Sequence, residues 1–393
     1  MWSDSRPILS LRSTRLLLAV IAVGLAARFA LLSISIGSLD AVIWQRLAEK
    51  VVTHGLYETY RQDIWMNHPP VSALWAAWVW RAAEASGLNF AQLYKLPVVI
   101  ADCATCLLIY LSWQARAGQL VALQAAALYA WNVDAILISA HHCNSDPVYS
   151  MLSLLALWLL EIRRAPLLAG LALGAAINIK LIPALLLAPF LLLPRSRAEL
   201  VRVLVGLGLM AVPCVYVWLE LGKTFQKRVI GYDSAPTGWG FHHLIDQLSN
   251  HPLLKSYLDT VAERYRRSAA LLVMAVAAWA VLRLRRREKG ADRIDASAAA
   301  AACYAAVTPA LAPQHTVFIG VLLFASDPRS GAHWGLLSGA WAIVYYFFAW
   351  DGSFPLAPAA AAYGPAPTGM LTTIAWLWVL VEAWRRCFRR PST

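Results

Sequence analysis

The sequence predicts an all-α fold, a polytopic bundle of transmembrane helices that forms one integral membrane domain over residues 1–393. Two observations support this prediction. Of the 393 residues, 60% are hydrophobic and only 14% are charged, which is far too apolar for a soluble domain of this length. Apolar runs of membrane-spanning length recur from Leu16 to Trp384, and no hydrophilic stretch between them is long enough to fold separately.

The basic residues predict how the helices are oriented. The net charge is +12, but Lys and Arg cluster at the ends of apolar runs, which indicates membrane topology rather than nucleic-acid binding. If every cluster is cytoplasmic, the number of crossings between consecutive clusters must be even. This rule predicts about twelve crossings with both termini in the cytoplasm. The clusters lie at residues 12–15, 163–164, 195–197, 283–289 and 385–390.

The elements follow in chain order from this rule. The stretch between Arg164 and Arg195 is interrupted by NIKLIP, so we expect two half-spanning helices that meet near Lys180. Residues 71–83 are too short to span and predict a helix in the interface. The predicted spans are 16–36, 95–113, 118–139, 147–162, 200–219 and 268–282, with hairpins at 296–326 and 333–384 and long external segments at about 37–93 and 220–267.

Polar residues gather on the predicted external side, which favours a functional site there, because a protein cavity holds water and charge that lipid cannot. They lie in SLDAVIW, YRQDIWMNHPP, HHCNSDP, NIKLIP, the loop after residue 220 and APQH. The sequence has no Asp-x-Asp pair, complete phosphate loop, HExxH or GxSxG motif. A nucleotide donor is therefore not indicated, and a lipid-linked sugar is the expected source of an activated group.

Six segments occur in an order that resembles a known family: SLDAVIW, GLYETYRQDIWMNHPP, YKLPVVIAD, NSDPVYSMLSLLALW, NIKLIPALLLAPFLLL and TPALAPQH. The succession resembles the multispanning C-type-fold glycosyltransferases that use polyprenyl- or dolichyl-phosphate sugars, in particular mannosyl- and glucosyltransferases. The resemblance implies transfer of a single hexose, mannose or glucose, from a polyprenyl phosphate to a hydroxyl of a lipid-linked or cell-envelope acceptor. Many relatives have Trp-Gly-Gln where this chain has His141, His142 and Cys143.

Such a transfer needs a base for the acceptor proton and groups that bind the leaving phosphate. The resemblance implies that Asp40, just after the first helix, is the base; a solvent-exposed Asp at a helix end is the alternative. A single catalytic carboxylate predicts inversion at the anomeric carbon. Lys180, with Gln314 and His315, is expected to bind the phosphate, whereas a Lys that reaches the interface and an ordinary interfacial turn are the alternatives.

The remaining candidates are expected to contact substrate: Asn67, His68, His142, Asp146 and Trp239. Asp146 fits a helix cap equally well, and interfacial positioning explains most Trp residues. Asp102 is expected to pair with Arg28 as a structural bridge. The histidines match no known ligand spacing, so no metal and no other cofactor is expected.

Two other classes of function stay open at this point. A lipid flippase or secondary transporter also uses charges within the membrane, although the sequence lacks repeated halves. A non-catalytic subunit of an envelope complex is the second alternative. The abundance of Ala, Arg and Trp suggests a bacterium with GC-rich DNA, and hence the plasma membrane with the site on its extracytoplasmic side. The expected partners are the lipid-linked donor, the acceptor and membrane lipids.

Overall fold

The structure is a computed structural model that describes residues 11–388 apart from 232–238, 250, 252, 288–291 and 347–365. Within these residues the chain forms α-helices, short π and 3-10 segments and turns, and no strand. The all-α prediction is therefore confirmed for the described part of the chain.

Eighteen α-helices occur in the described residues. In the first half they are α1 (Leu11–Ile34), α2 (Leu39–His54), α3 (Leu56–Gln62), α4 (Pro70–Ser86), α5 (Phe90–Ala117), α6 (Gln119–Ala130), α7 (Val133–Leu137), α8 (Asp146–Glu161) and α9 (Pro166–Ile179). In the second half they are α10 (Leu187–Leu192), α11 (Arg197–Leu221), α12 (Lys223–Phe225), α13 (Gly240–Ser249), α14 (Lys255–Arg287), α15 (Arg293–Val307), α16 (Thr316–Ser326), α17 (Pro328–Val344) and α18 (Ala366–Phe388). The chain is π-helical at Ile138–His142 and Gln226–Ile230 and 3-10 helical at Ile182–Leu186 and Pro313–His315.

The number of membrane crossings is smaller by helix length than the sequence predicts. Among the described residues, four helices are long and apolar enough to cross a bilayer: α1, α5, α11 and α14. The count is five if α6 and Val133–His142, which meet at a bend of 52°, are taken together as one span. Several other predicted spans are shorter apolar helices, so the count of about twelve stays a prediction, while the apolar helices identify an integral membrane protein.

The predicted break near Lys180 is confirmed. The α9 helix ends at Ile179, Lys180 has extended backbone (φ −154°, ψ 148°), and the 3-10 turn that follows contains Pro183. Proline lacks the N–H that would continue the α-helical hydrogen bonds, and its ring crowds the preceding turn, which favours a helix end at this point. Lys180 is thereby placed between two helix ends inside the protein.

One predicted boundary is wrong. The span predicted at 268–282 already begins at Lys255, because the preceding residues of the predicted external loop 220–267 continue the same helix. The segment 37–93 contains α2, α3 and α4, and the helix predicted at 71–83 is present as α4. The α4 helix begins at Pro70, which suits a first helical turn because no hydrogen bond is lost there.

Two hydrophobic clusters position the site. The smaller one joins α2, α4 and the first turns of α5, where Tyr94 stacks between Trp75 (4.8 Å) and Trp44 (5.7 Å). The larger one is built mainly from α8, α9, α15, α16 and α18. Val148, in the first turn of α8, packs against both clusters. The polar residues predicted for the site lie along this boundary.

The predicted pair of Arg28 and Asp102 is confirmed. The Arg28 Nε lies 2.6 Å from Asp102 Oδ2, and both side chains are 0% exposed. Arg28 also donates to the backbone oxygens of Gly24 (2.9 Å) and Ala130 (2.6 Å), and the Tyr129 hydroxyl donates to the same carboxylate. The pair therefore ties α1 to α5 and α6.

Candidate active site

Asp40 lies in the first turn of α2, six residues after the end of α1 at Ile34. Ser38 caps this helix, and its Oγ accepts a hydrogen bond from the Asp40 N–H (3.2 Å). The Asp40 side chain is 20% exposed. The alternative of a solvent-exposed Asp at a helix C-terminus is therefore wrong, because the carboxylate is half-buried at a helix N-terminus, where the helix dipole favours negative charge.

The two oxygens of the Asp40 carboxylate have different surroundings. Asn144 Nδ2 donates to Oδ2 at 2.6 Å, and His142 Nε2 lies 3.3 Å from the same oxygen. Oδ1 receives no hydrogen bond from the part of the chain that the structure describes. One oxygen is thus held by the protein and the other is left for a substrate.

These contacts keep the carboxylate ionised. Burial raises the pKa of Asp40, but the His142 imidazole, the hydrogen bond from Asn144 and the Lys180 ammonium lower it, and the net direction is downward. An ionised carboxylate with a free oxygen is the form that a general base requires.

His142 lies beside the Asp40 carboxylate. The residue ends the π-helix Ile138–His142, and its Nδ1 is within hydrogen-bond distance of the Tyr346 hydroxyl (2.7 Å) and of Ser38 Oγ (3.2 Å). With one ring nitrogen taken and the other facing Asp40, His142 supports the carboxylate. The predicted contact of His142 with substrate stays a prediction.

Lys180 and Asp146 form an ion pair. Lys180 Nζ lies 3.1 and 3.3 Å from the two oxygens of Asp146, and the Tyr149 hydroxyl donates to Asp146 Oδ1 at 2.7 Å. Asp146 is fully buried at the start of α8, and Ser145 occupies the cap position. The Lys180 side chain is only 14% exposed, so it does not reach the membrane interface as the alternative supposes.

His68 and His315 complete the cluster. The His68 ring packs on Trp44 with 4.8 Å between ring centroids, and it interacts electrostatically with Asp40 and Lys180. His315 interacts in the same way with Lys180, His142 and His68. The structure therefore brings together five of the predicted site residues at the boundary between the two hydrophobic clusters, and Asp146 joins them through Lys180. We call this group the Asp40 cleft.

Several buried nitrogens of the Asp40 cleft have no hydrogen-bond partner among the described residues. Both ring nitrogens of His68 and Nδ1 of His315 are in this state. Buried polar atoms are normally paired, and an exception calls for a water, an ion or a ligand. These nitrogens are therefore suited to bind the hydroxyl or phosphate groups of a substrate.

A comparison with protein families identifies the chain. The family model described as Glycosyltransferase family 87 matches residues 65–309, which is more than half of the chain. The chain belongs to glycosyltransferase family 87. This family has the C-type fold, so the resemblance seen in the sequence is confirmed, and the protein is a glycosyltransferase enzyme. A comparison with curated proteins finds no match.

The matched residues of the glycosyltransferase include His68, His142, Asp146 and Lys180, whereas Asp40 lies before them. Gln314 and His315 lie after them, on the 3-10 turn Pro313–His315, and Gln314 is half-buried there. Asn67 is half-buried next to His68. The predicted substrate contact of Asn67 and the predicted phosphate contact of Gln314 stay predictions.

Trp239 lies in the core of the glycosyltransferase. Its ring is 0% exposed and stacks on Trp341 with 5.5 Å between centroids, and its Nε1 donates to the Ala305 oxygen at 2.8 Å. The predicted substrate contact of Trp239 does not agree with this position. The ring packs as a core residue because its only polar atom is already paired.

Sequence reasoning also missed three supporting residues of the enzyme: Asn144, Ser38 and Tyr346. Asn144 stands within the polar segment HHCNSDP, which was the only signal available for it. Among the described residues, no group of three His, Cys, Asp or Glu side chains could hold a metal ion. The prediction of no cofactor stays a prediction.

A pH experiment tests the burial of His68 in the enzyme. Burial, and then the Lys180 charge, lower the pKa of His68 to about 3, although Asp40 acts in the opposite direction. The unfolded chain therefore binds a proton near pH 6.5 that the folded protein does not take up until about pH 3. The folded state therefore has its full stability above pH 6.5. Its free energy of unfolding decreases as the pH falls below 6.5, because the unfolded chain binds the proton and the folded protein does not.

We expect the wild-type midpoint of thermal unfolding to fall between pH 7.5 and pH 5 by more than that of a His68→Gln variant. Gln keeps polar atoms at this position without a titrating group. Thermal unfolding of the detergent-solubilised proteins, followed by Trp fluorescence, measures the difference. Equal shifts for both proteins would contradict the predicted neutral state.

Proposed function

We propose that this glycosyltransferase transfers a single hexose, mannose or glucose, from a polyprenyl-phosphate sugar to a hydroxyl of a lipid-linked or cell-envelope acceptor. The transfer takes place on the extracytoplasmic side of a bacterial plasma membrane. The observation that supports this function best is the Asp40 carboxylate, which is ionised, half-buried, held at Oδ2 and open at Oδ1. Lys180 and His68 interact electrostatically with this carboxylate, and His315 interacts with Lys180 and His68.

The proposed reaction is one displacement. Asp40 Oδ1 accepts the proton of the acceptor hydroxyl while the acceptor oxygen forms a bond to the anomeric carbon of the sugar. The bond between that carbon and the phosphate oxygen breaks, and the phosphate leaves as an anion that needs no proton. Attack opposite to the leaving phosphate inverts the anomeric configuration.

Lys180 is the proposed binding residue for the donor phosphate. An ammonium group has three N–H donors, and the ion pair with Asp146 fixes its position without using all of them. His315 Nδ1 and His68 supply unpaired nitrogens close to the same charge, and Gln314 lies on the turn of His315. This arrangement supports binding of the oxygens of a sugar phosphate.

The direction of α8 supports the extracytoplasmic location. The helix runs from Asp146 in the cleft to Glu161, which is about 22 Å away at 1.5 Å per residue. Glu161 pairs with Arg195 and with Arg293 (3.0 Å). The cleft and this basic cluster are therefore at opposite ends of α8. If basic clusters are cytoplasmic, the cleft faces the other side.

The donor is tested with the full chain in phospholipid vesicles that also contain lipid extracted from a host strain lacking the gene. Synthetic polyprenyl-phosphate mannose and glucose are compared with nucleotide sugars that carry the same hexoses. We expect transfer from a polyprenyl-phosphate sugar to an extracted lipid or glycan, with inverted configuration by NMR. Transfer from nucleotide sugars alone would overturn the proposed donor.

The phosphate role of Lys180 gives a separate prediction. We expect Lys180→Gln to raise the donor KM by about 10-fold to 100-fold, since a hydrogen bond to a charged group contributes about 1.5–3 kcal/mol. Initial rates over a range of donor concentrations measure this change. Lys227→Gln, an exposed Lys on the Gln226–Ile230 segment, is the matched control and should keep the wild-type KM. A KM that changes equally in both variants would contradict the role of Lys180.

A further inference from the structure

The turn that follows the π-helix Ile138–His142 delivers a buried amide to the Asp40 carboxylate. Cys143 has left-handed backbone (φ 67°, ψ 49°), which is uncommon for a residue with a side chain. Cys143 directly follows the π-helix, and α8 begins three residues later at Asp146. Asn144 follows directly and is only 3% exposed. The strained conformation thus places a polar side chain inside the protein next to Asp40.

The orientation of the Asn144 amide is fixed from both ends. Its Oδ1 accepts a hydrogen bond from the Ser145 N–H at 2.7 Å, so the NH₂ group must point the other way. That NH₂ group donates to Asp40 Oδ2 at 2.6 Å. A hydrogen bond of this length to an ionised acceptor is of the strong, charge-assisted kind.

We propose that Asn144 is a positioning residue for the transfer reaction, because its amide holds Asp40 Oδ2 and thereby presents Oδ1 to the acceptor hydroxyl. The inference rests on the proposed function, in which Asp40 is the base. Asn144 itself does not contact the reacting atoms. It limits rotation of the carboxylate and, as a donor to the charged form, favours the ionised state.

Other groups also act on Asp40 and must be kept constant in a test. The titratable and charged groups that interact with it come from the surrounding elements and are His142, Lys180, His68, Tyr94, Cys143 and Tyr346. A change at Asn144 alone leaves all six in place. A shift in the pH dependence of the rate is then attributable to the lost amide.

The test compares Asn144→Leu, Asn144→Asp and wild type in the vesicle assay between pH 3 and pH 8, because the acid limb of the wild type lies below the ordinary pKa of an Asp. We expect Asn144→Leu to lower kcat about 100-fold, as a misplaced catalytic group does, with little change in donor KM. The acid limb of the pH profile, in which kcat/KM falls as Asp40 is protonated, should move to a higher pH by about one unit. Asn144→Asp should move it further, because two carboxylates in contact cannot both ionise.

Asn132→Leu is the matched control. Asn132 is also a buried Asn next to a helix start, where its side chain accepts from the Asp134 N–H (3.1 Å), but it lies outside the Asp40 cleft. This variant should lose thermal stability and keep the wild-type acid limb. An Asn144→Leu variant that loses thermal stability but keeps the wild-type acid limb, as the control does, would overturn the positioning role.

The Asp40→Asn background separates this inference from the proposed function. There, Asn144→Leu should have no further effect on the residual rate, since the residue acts only through Asp40. If Asn144→Leu lowers the rate by the same factor with and without Asp40→Asn, the inference is overturned. If Asn144→Leu does not fold, the test relies on Asn144→Asp, because Asp has the same shape as Asn and should fold. An acid limb of Asn144→Asp that equals that of wild type would then overturn the inference. Absence of transfer by wild type with every polyprenyl-phosphate sugar would instead count against the proposed donor.

Discussion

Replacing Asp40 by Asn is expected to lower kcat by about 10²- to 10⁴-fold, which is the usual contribution of general acid–base catalysis. Asn has nearly the same shape as Asp and cannot accept the acceptor proton. The donor KM should change little, because the loss is confined to the transition state. Steady-state rates with a polyprenyl-phosphate sugar, measured at pH 7.5 in vesicles, give both constants.

The matched control for this variant is Asp246→Asn. Asp246 also pairs with a histidine, since His242 Nδ1 lies 2.9 Å from its carboxylate, but the pair is on α13 and outside the Asp40 cleft. We expect this variant to keep wild-type kcat. Unchanged transfer by Asp40→Asn would refute the role of Asp40 as base.

Replacing Arg28 by Met is expected to lower the free energy of unfolding by about 3–5 kcal/mol. The substitution leaves the Asp102 carboxylate buried without its cation and removes the hydrogen bonds that join α1 to α6. Denaturation of the detergent-solubilised protein, followed by Trp fluorescence, measures the loss. The expected effect is large because an unpaired charge in an apolar interior has no water to stabilise it.

A second substitution distinguishes lost charge balance from lost packing. The double variant Arg28→Met with Asp102→Asn should recover much of the stability, since no charge is left unpaired and Asn still accepts from the Tyr129 hydroxyl. Arg61→Leu is the control: its pair with Glu58 is exposed, so the expected change is within about 1 kcal/mol. A double variant as unstable as Arg28→Met would show that packing, and not the charge, is decisive.

Much of the Asp40 cleft was within reach of sequence reasoning. Asp40, Lys180, His68 and His315 are expected on one side of the membrane. In the structure Asp40 interacts electrostatically with Lys180 and His68, and His315 interacts with Lys180 and His68. The reasoning worked because charged and polar side chains are rare in apolar helices and gather where a cavity accepts them. Their roles in the reaction are still proposals.

The partners of these residues could not be predicted in the same way. Asn144 and His142 approach Asp40 from more than 100 residues along the chain, and Lys180 meets Asp146 across 34 residues. Trp239 shows the converse error: an aromatic ring suited to a sugar is stacked in the core. Neither outcome follows from residue type, because contacts over such separations depend on how whole helices pack.

The sequence by itself determined the helical class, the membrane character, the break at Lys180 and the resemblance to the glycosyltransferase family. These properties depend on apolar length, on proline and on the order of short segments, all of which are local. Only the tertiary structure decided which oxygen of Asp40 is held, what fixes Lys180 and how Asn144 reaches the base. A left-handed turn at Cys143 and the packing of α2 against the π-helix set those distances, and no local pattern encodes them.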